Sequence, residues 1–213
     1  NRGCTGNHWP GSAATPLLKG TEMKAVRVIA DAKLSWDDVP TPVPAAGEVL
    51  IKVQATAINR ADLMQRMGLY PPPPGASDVM GLECAGTIAA VGDGVTRWKE
   101  GDEVCALLSG GGYAQFAVAP EGSVLPVPQG LTMAHAACLP EVFATAYLNM
   151  YIEANLQQGE KVILHAGASG VGTAGIQLAK AFGNPSFVTA GGDDKIQACV
   201  DLGAEAGANR KTE

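Results

Sequence analysis

Between Met23 and about Val127 the apolar residues fall in short alternating or continuous runs, at 23–28, 49–55, 85–91, 104–107 and 114–118. Runs of this length, closed by Gly47-Glu48 and Gly92-Asp93 and by the triple glycine at 110–112, predict strands joined by turns. Pro40, Pro42 and Pro44 mark an extended edge, and Pro71 to Pro74 hold the chain in polyproline geometry over a surface loop. This half is β-rich. It is not a parallel α/β sheet.

After Thr132 the periodicity changes. Thr132 caps a short helix reaching about Cys138, Pro140 breaks it, and helical spacing resumes over 142–153. A mostly apolar strand at 162–166 precedes a glycine-rich turn and a helix over 173–182. A strand at 186–190 follows, then a helix at 195–202 closed by Gly203, and the start of a third strand at 207–209. The alternation is that of a doubly wound parallel sheet. A complete dinucleotide domain has about six strands, so the expectation is a truncated Rossmann domain. The division that follows is a leader or remnant at 1–22, a β-rich domain at 23–140 and the incomplete α/β domain at 141–213. With so few strands, the apolar residues at 162–164 and 187–188 are expected to face water, and the 213-residue chain alone to be a poor catalyst, or an inactive relative.

The turn after the 162–166 strand reads Gly167-Ala168-Ser169-Gly170-Val171-Gly172. Strand, glycine-rich turn and helix in that order form the context in which a dinucleotide fingerprint is meaningful. Unpaired N–H groups and the positive end of the helix dipole make a seat for a pyrophosphate. Ser169 stands where the second glycine is usual; its Cβ crowds the phosphates slightly, and its hydroxyl can donate to one. NAD-binding chains of this fold carry an acid about 20 residues past the fingerprint for the ribose 2′-OH. Here that position is Gly191, followed by Gly192, which leaves room for a 2′-phosphate, with Lys195 as a nearby cation. The expected cofactor is therefore NADPH, although Asp193 and Asp194 lie between and oppose it.

Composition narrows the remaining classes. Apolar residues make up 46% of the chain, enough for a real core, and no run reaches a membrane span of about 20 residues. A net charge of −6 excludes a general nucleic-acid surface. Cys4, Cys84, Cys105, Cys138 and Cys199 are far apart, with no Cys-x-x-Cys pair, which indicates neither a disulfide framework nor a zinc knuckle but a reducing, cytoplasmic setting. His135 and His165 have no nucleophile or metal partner in the pattern. Residues 1–22 lack apolar periodicity and resemble a leader, upstream translation or a cloning remnant.

The densest polar cluster runs from Asn59-Arg60-Ala61-Asp62 through Gln65-Arg66 to Tyr70, ahead of Pro71 to Pro74, and Gly81-Leu82-Glu83 follows. With Gly101-Asp102, the triple glycine, Pro140-Glu141, Thr145-Ala146 and the fingerprint from His165 to Gly172, these motifs resemble the medium-chain dehydrogenase/reductase superfamily. The branch they resemble is the zinc-free quinone oxidoreductases, closest to the p53-inducible type. The resemblance covers Met23 to about Asn209 and implies a GroES-like catalytic domain ahead of the Rossmann domain. It implies NADPH reducing a quinone-like small molecule, a homo-oligomer for the full-length form, and no nucleic-acid or membrane partner. Enoyl-thioester reduction is the sibling activity. In the zinc-binding relatives a Cys and a His are ligands where this chain has Asn59 and Leu82, and a third Cys is missing near Glu141 and Val142, so no metal site is expected. The resemblance makes Tyr70 and Asn59 the candidate catalytic donors. Thr145 joins Gly167, Ser169, Gly170, Val171, Gly172, Gly191, Gly192 and Lys195 in the cofactor set. Asp62 and Glu83 are expected to be structural partners for Arg60, Arg66 or backbone amides, and Gln65 and Arg66 to be solvated helix residues.

Overall fold

The computed structural model describes residues 20–212, so the leader expected at 1–22 lies largely outside the described residues. Glu22 already belongs to β1 (Glu22–Ile29), which pairs antiparallel with β2 (Lys33–Pro40) along its whole length. The sequence pattern marks only a proline-bearing edge where β2 lies. Its Asp37, Asp38 and Pro40 disfavour a strand locally, and pairing with β1 overrides them. The hairpin joins the body through an Ala25–Ala114 bridge and the Val26 N–H donating to the Tyr113 carbonyl at 2.8 Å.

Strands β3 (Glu48–Thr56), β4 (Glu83–Val91), β5 (Glu103–Leu107), β6 (Phe116–Pro120) and β7 (Val124–Pro126) form an antiparallel sheet in the order β6-β3-β4-β5-β7. Register shifts after Leu50 and after Val53 curl it. Its inner face is apolar and dry: Val49, Ile51, Cys84, Val104 and Val124 are fully buried. α1 (Arg60–Arg66) spans part of the loop between β3 and β4, and α2 (Met133–Ala136) seats Ala136 and Ala137 against Ala85 and Cys105. Thr132 caps α2, accepting from the His135 N–H.

Pro140 opens α3 (Pro140–Tyr147), because a first-turn position tolerates its missing N–H. α3 runs on as a π-helical segment, Leu148–Glu153. Strands β8 (Val162–His165), β9 (Ser186–Ala190) and β10 (Ala206–Asn209) are parallel in the order β10-β9-β8, joined by α4 (Gly170–Phe182) and α5 (Asp193–Leu202). The structure thus has a GroES-like antiparallel module and a Rossmann-type parallel portion. Both helices cover one face, where Ile176, Val188, Cys199 and Ala204 pack. The expectation that 162–164 and 187–188 face water is corrected here. Val188 is 2% exposed beneath these helices, and the residue left in water is Ile163, 65% exposed, because alternate strand residues face opposite sides. Among the described residues no helix is long and apolar enough to cross a membrane.

Gly86 shows how tightly β3 and β4 meet: a Cβ there would lie 2.1 Å from the Lys52 carbonyl oxygen. Gly86→Ala must open this pair and is expected to cost about 3 kcal/mol. Urea unfolding of the variant beside the parent checks this; an unchanged midpoint would mean that β3 and β4 separate freely.

Candidate active site

The two modules meet at a buried carboxylate network. Asn59 precedes α1, and its N–H donates to Asp62 Oδ2 at 2.7 Å. The phenol of Tyr113 donates to the same oxygen at 2.7 Å. Asn59 Nδ2 donates to Glu83 Oε1 at 2.7 Å, and the Glu141 N–H, in the first turn of α3, donates to Glu83 Oε2 at 2.9 Å. Asp62 and Glu83 are only 2% and 1% exposed, and Asp62 Oδ1 has no partner. Gly81 permits the arrangement: at φ 104° it lies so close that a Cβ would sit 2.6 Å from the Tyr113 nitrogen. The acids therefore do pair with backbone amides, but Arg60 and Arg66 are not their partners. Arg66 is not purely solvated either, since its Nε donates to the Ala32 carbonyl at 2.6 Å.

Burial sets the protonation of the network. Desolvation pushes the Glu83 carboxyl above its ordinary value, against the lowering influence of the Glu141 N–H and the Asn59 amide. Glu141 is raised by burial and by the nearby Glu83 and Asp62 charges. Tyr113 is raised by burial and then by Asp62, so its phenol stays a donor. Cys84, behind Glu83, is pushed up to about 12 by burial and remains a thiol at neutral pH.

Of the two expected catalytic donors, Asn59 stands in this network with one amide N–H engaged by Glu83. Tyr70 lies beyond the other end of α1, half exposed, and its phenol makes no hydrogen bond to a described residue. α1 lies between the two in sequence, and no hydrogen bond among the described residues joins them. Tyr113, which the sequence pattern does not single out, is the tyrosine that touches the acids.

The glycine turn is a cradle built from close approaches. A Cβ on Gly167 would lie 2.6 Å from Val188 side-chain carbons, and one on Gly172 would lie 2.5 Å from the Gly167 carbonyl oxygen. Ser169 caps α4 by accepting from the Gly172 N–H at 3.1 Å, which leaves its hydroxyl hydrogen free to donate. Gly170 and Val171 lie in the first turn of α4, where N–H groups point out of the helix end. These residues fit a pyrophosphate. A hollow of about 190 Å³ beside them is lined by Ala146, Asn149, His165, Ser169 and Val171. Thr145 stands half-buried on α3 next to Ala146. His165 Nδ1 lies 3.1 Å from Thr189 Oγ1, and among the described residues no acid or metal ligand joins it.

Gly191 and Gly192 follow β9 as expected, but the nearest cation is not Lys195, which is exposed on α5. A carbon on Gly191 would lie 3.5 Å from Arg210 Nε and 3.8 Å from Lys211 Cε. Gly192 faces Asp194 instead, whose Oδ1 would be 2.6 Å from a Cβ there.

Comparison with known proteins agrees with this architecture. Residues 45–129 match the alcohol dehydrogenase GroES-like domain. The chain is 34% identical over 194 residues to a quinone oxidoreductase of Mus musculus, an alignment that covers 89% of this chain and 59% of the mouse protein. It superimposes on the CurK enoyl reductase with TM-score 0.81 at 32% identity, covering 90% of this chain and 61% of that one. A quinone oxidoreductase from Coxiella burnetii gives TM-score 0.78 at 30% identity, covering 91% and 64%. In sequence and fold the chain resembles the medium-chain dehydrogenase/reductase superfamily. A GroES-like module stands ahead of a Rossmann-type one, and the chain spans about six-tenths of the length of these relatives.

Two outcomes follow from the network. Tyr113→Phe withdraws a donor from Asp62 and is expected to cost about 1–3 kcal/mol in urea unfolding; no loss would mean that water replaces the phenol. The raised Glu83 value fixes a sign. The native state keeps a proton over a pH range in which the unfolded chain has lost it. The Glu83 contribution to stability therefore falls as pH rises from about 4.5 through the raised folded value. Glu83→Gln should flatten that slope, although it also places an amide N–H against one of two donors; an unchanged slope in a pH series of unfolding midpoints would exclude Glu83 as its source.

Proposed function

We propose that the chain carries the acceptor-side module and the adenosine-binding part of an NADPH-dependent quinone oxidoreductase. It would act on a quinone or enone without zinc, in a cytoplasmic setting and as a homo-oligomer in its longer form. The observation that carries the reading is the closed Asn59–Glu83 pair. An amide and the aliphatic Leu82 stand where the zinc-binding relatives have ligands. Three of the four oxygens of Asp62 and Glu83 are engaged by Asn59, Tyr113 and the Glu141 N–H. This donor set does not fit a tetrahedral zinc site.

Bound NADPH supplies the hydride. The N–H groups of Gly170 and Val171 and the Ser169 hydroxyl hold its pyrophosphate at the end of α4. The quinone oxygen that gains charge requires donors in place of a Lewis acid. Asn59 keeps a second amide N–H for this, since only one is engaged by Glu83. Tyr70, whose phenol makes no hydrogen bond to a described residue, donates the proton that completes reduction to the hydroquinone. Enoyl-thioester reduction is the second reading, favoured by the likeness to the CurK enoyl reductase; there the same hydride goes to carbon and the proton to its neighbour.

The test follows NADPH oxidation with a simple ortho- or para-quinone and with a crotonyl thioester, on a form completing the length of the relatives, after dialysis against chelator. Quinone turnover is expected to survive dialysis without stoichiometric zinc and to fall about a hundredfold in Tyr70→Phe. One zinc per chain that resists the chelator would overturn the zinc-free reading, and turnover of the thioester alone would select the second reading.

A further inference from the structure

We infer that Tyr113 is a positioning residue of the acceptor site, its phenol fixing the Asn59 amide through Asp62. The inference rests on the reading of Asn59 as a donor to the acceptor oxygen, and adds a residue that acts only through another. The Asn59 N–H and the Tyr113 phenol converge on Asp62 Oδ2, each at 2.7 Å. The same phenol oxygen lies 3.2 Å from the carbonyl of Ala57, just ahead of Asn59. One hydroxyl thus spans the bend at which β3 ends, after Thr56, and α1 begins, at Arg60. Asn59 is the residue inside that bend.

Tyr113 itself is firmly held. Its N–H donates to the Met80 carbonyl at 2.9 Å, and its carbonyl accepts from the Val26 N–H at 2.8 Å. Its side chain packs against Met23, Ala25, Val79 and Ala114. Gly81 leaves the ring its space, since a Cβ there would lie 2.7 Å from Tyr113 Cδ1. Asp62, by contrast, hangs on one oxygen: Oδ2 takes both donors and Oδ1 has none, although the residue is only 2% exposed. Without the phenol a single backbone N–H is left to compensate a buried carboxylate. Such a group gains by turning toward water, and turning releases the Asn59 N–H. Asn59 then keeps only the bond from its Nδ2 to Glu83. A donor to a developing oxyanion must be aimed at the place the oxygen takes in the transition state. A small rotation of Asn59 therefore costs rate rather than binding.

The experiment measures kcat and KM with NADPH and the acceptor that the parent reduces, quinone or thioester, on a form completing the length of the relatives. Tyr113→Phe, Asn59→Ala and the two combined are compared, with circular dichroism of each to verify folding. Tyr113→Phe is expected to lower kcat about tenfold to a hundredfold with KM little changed. The double variant should be no slower than Asn59→Ala, because Tyr113 acts only through that amide. Asp62→Asn keeps an acceptor oxygen for both donors and should stay close to the parent, whereas Asp62→Ala should fall as Tyr113→Phe does. This second pair decides the matter if Tyr113→Phe does not fold. Three results overturn the assignment while leaving the Asn59 reading standing: unchanged kcat in Tyr113→Phe, losses that multiply in the double variant, or Asp62→Ala as active as Asp62→Asn. Parental turnover in Asn59→Ala, or a parent that reduces neither acceptor, overturns that reading and the role of Tyr113 with it.

Discussion

One buried carboxylate joins the two halves of this chain. Glu83 reaches from the start of β4 to the start of α1 with one oxygen and to the first turn of α3 with the other. Burying an ionised carboxylate costs several kcal/mol unless donors replace its water. Glu83 has two, and one belongs to a helix N-terminus, where the backbone dipole favours negative charge. Because α3 packs on α4, this side chain helps to locate the glycine cradle relative to Asn59. The raised pKa of Glu83 records that the compensation is incomplete.

Much of the fold was legible because it depends on local order. The strands at β1, β3, β4, β5 and β6 follow from apolar runs between turn residues, and the βαβα order of the second half follows from a change of period. β2 was not legible, because half-exposed residues such as Leu34 and Trp36 among aspartates have no local preference for a strand, and only β1 gives them one. β7 is three residues long, too short for any period. The site was less readable for the same reason. Tyr113 meets Asp62 across 51 residues and Asn59 meets Glu83 across 24, so type and spacing could nominate Asn59 but could not reveal what its amide would hold. Arg210 escaped notice because it reaches Gly191 only once β9 and β10 lie side by side.

The glycine cradle owes its shape more to missing side chains than to present ones. Gly167 lets the turn lie on Val188, Gly172 lets α4 close on the turn behind it, and Gly191 leaves room for side chains from the turn after β10. Ala166 adopts φ 53° just ahead of them, a left-handed conformation in which a non-glycine residue is uncommon. The chain accepts that cost at the bend from which strand passes to helix.

The π-helical segment after α3 acts as a phase adjuster. It carries one residue more than an α-helix would between fixed ends, and the Ala154 N–H reaches back to the Asn149 carbonyl. With that extra residue, Tyr147 and Tyr151 stack at 5.4 Å, and Tyr151 meets Phe182 of α4 at 4.7 Å. Removing one residue from 148–153 would return the segment to ordinary winding and swing Tyr151 by about 100° around the axis, taking it off Phe182. The chain length of this stretch is therefore held in place by an aromatic grip, and an insertion or deletion here would be read out as loss of the contact between Tyr151 and Phe182 of α4.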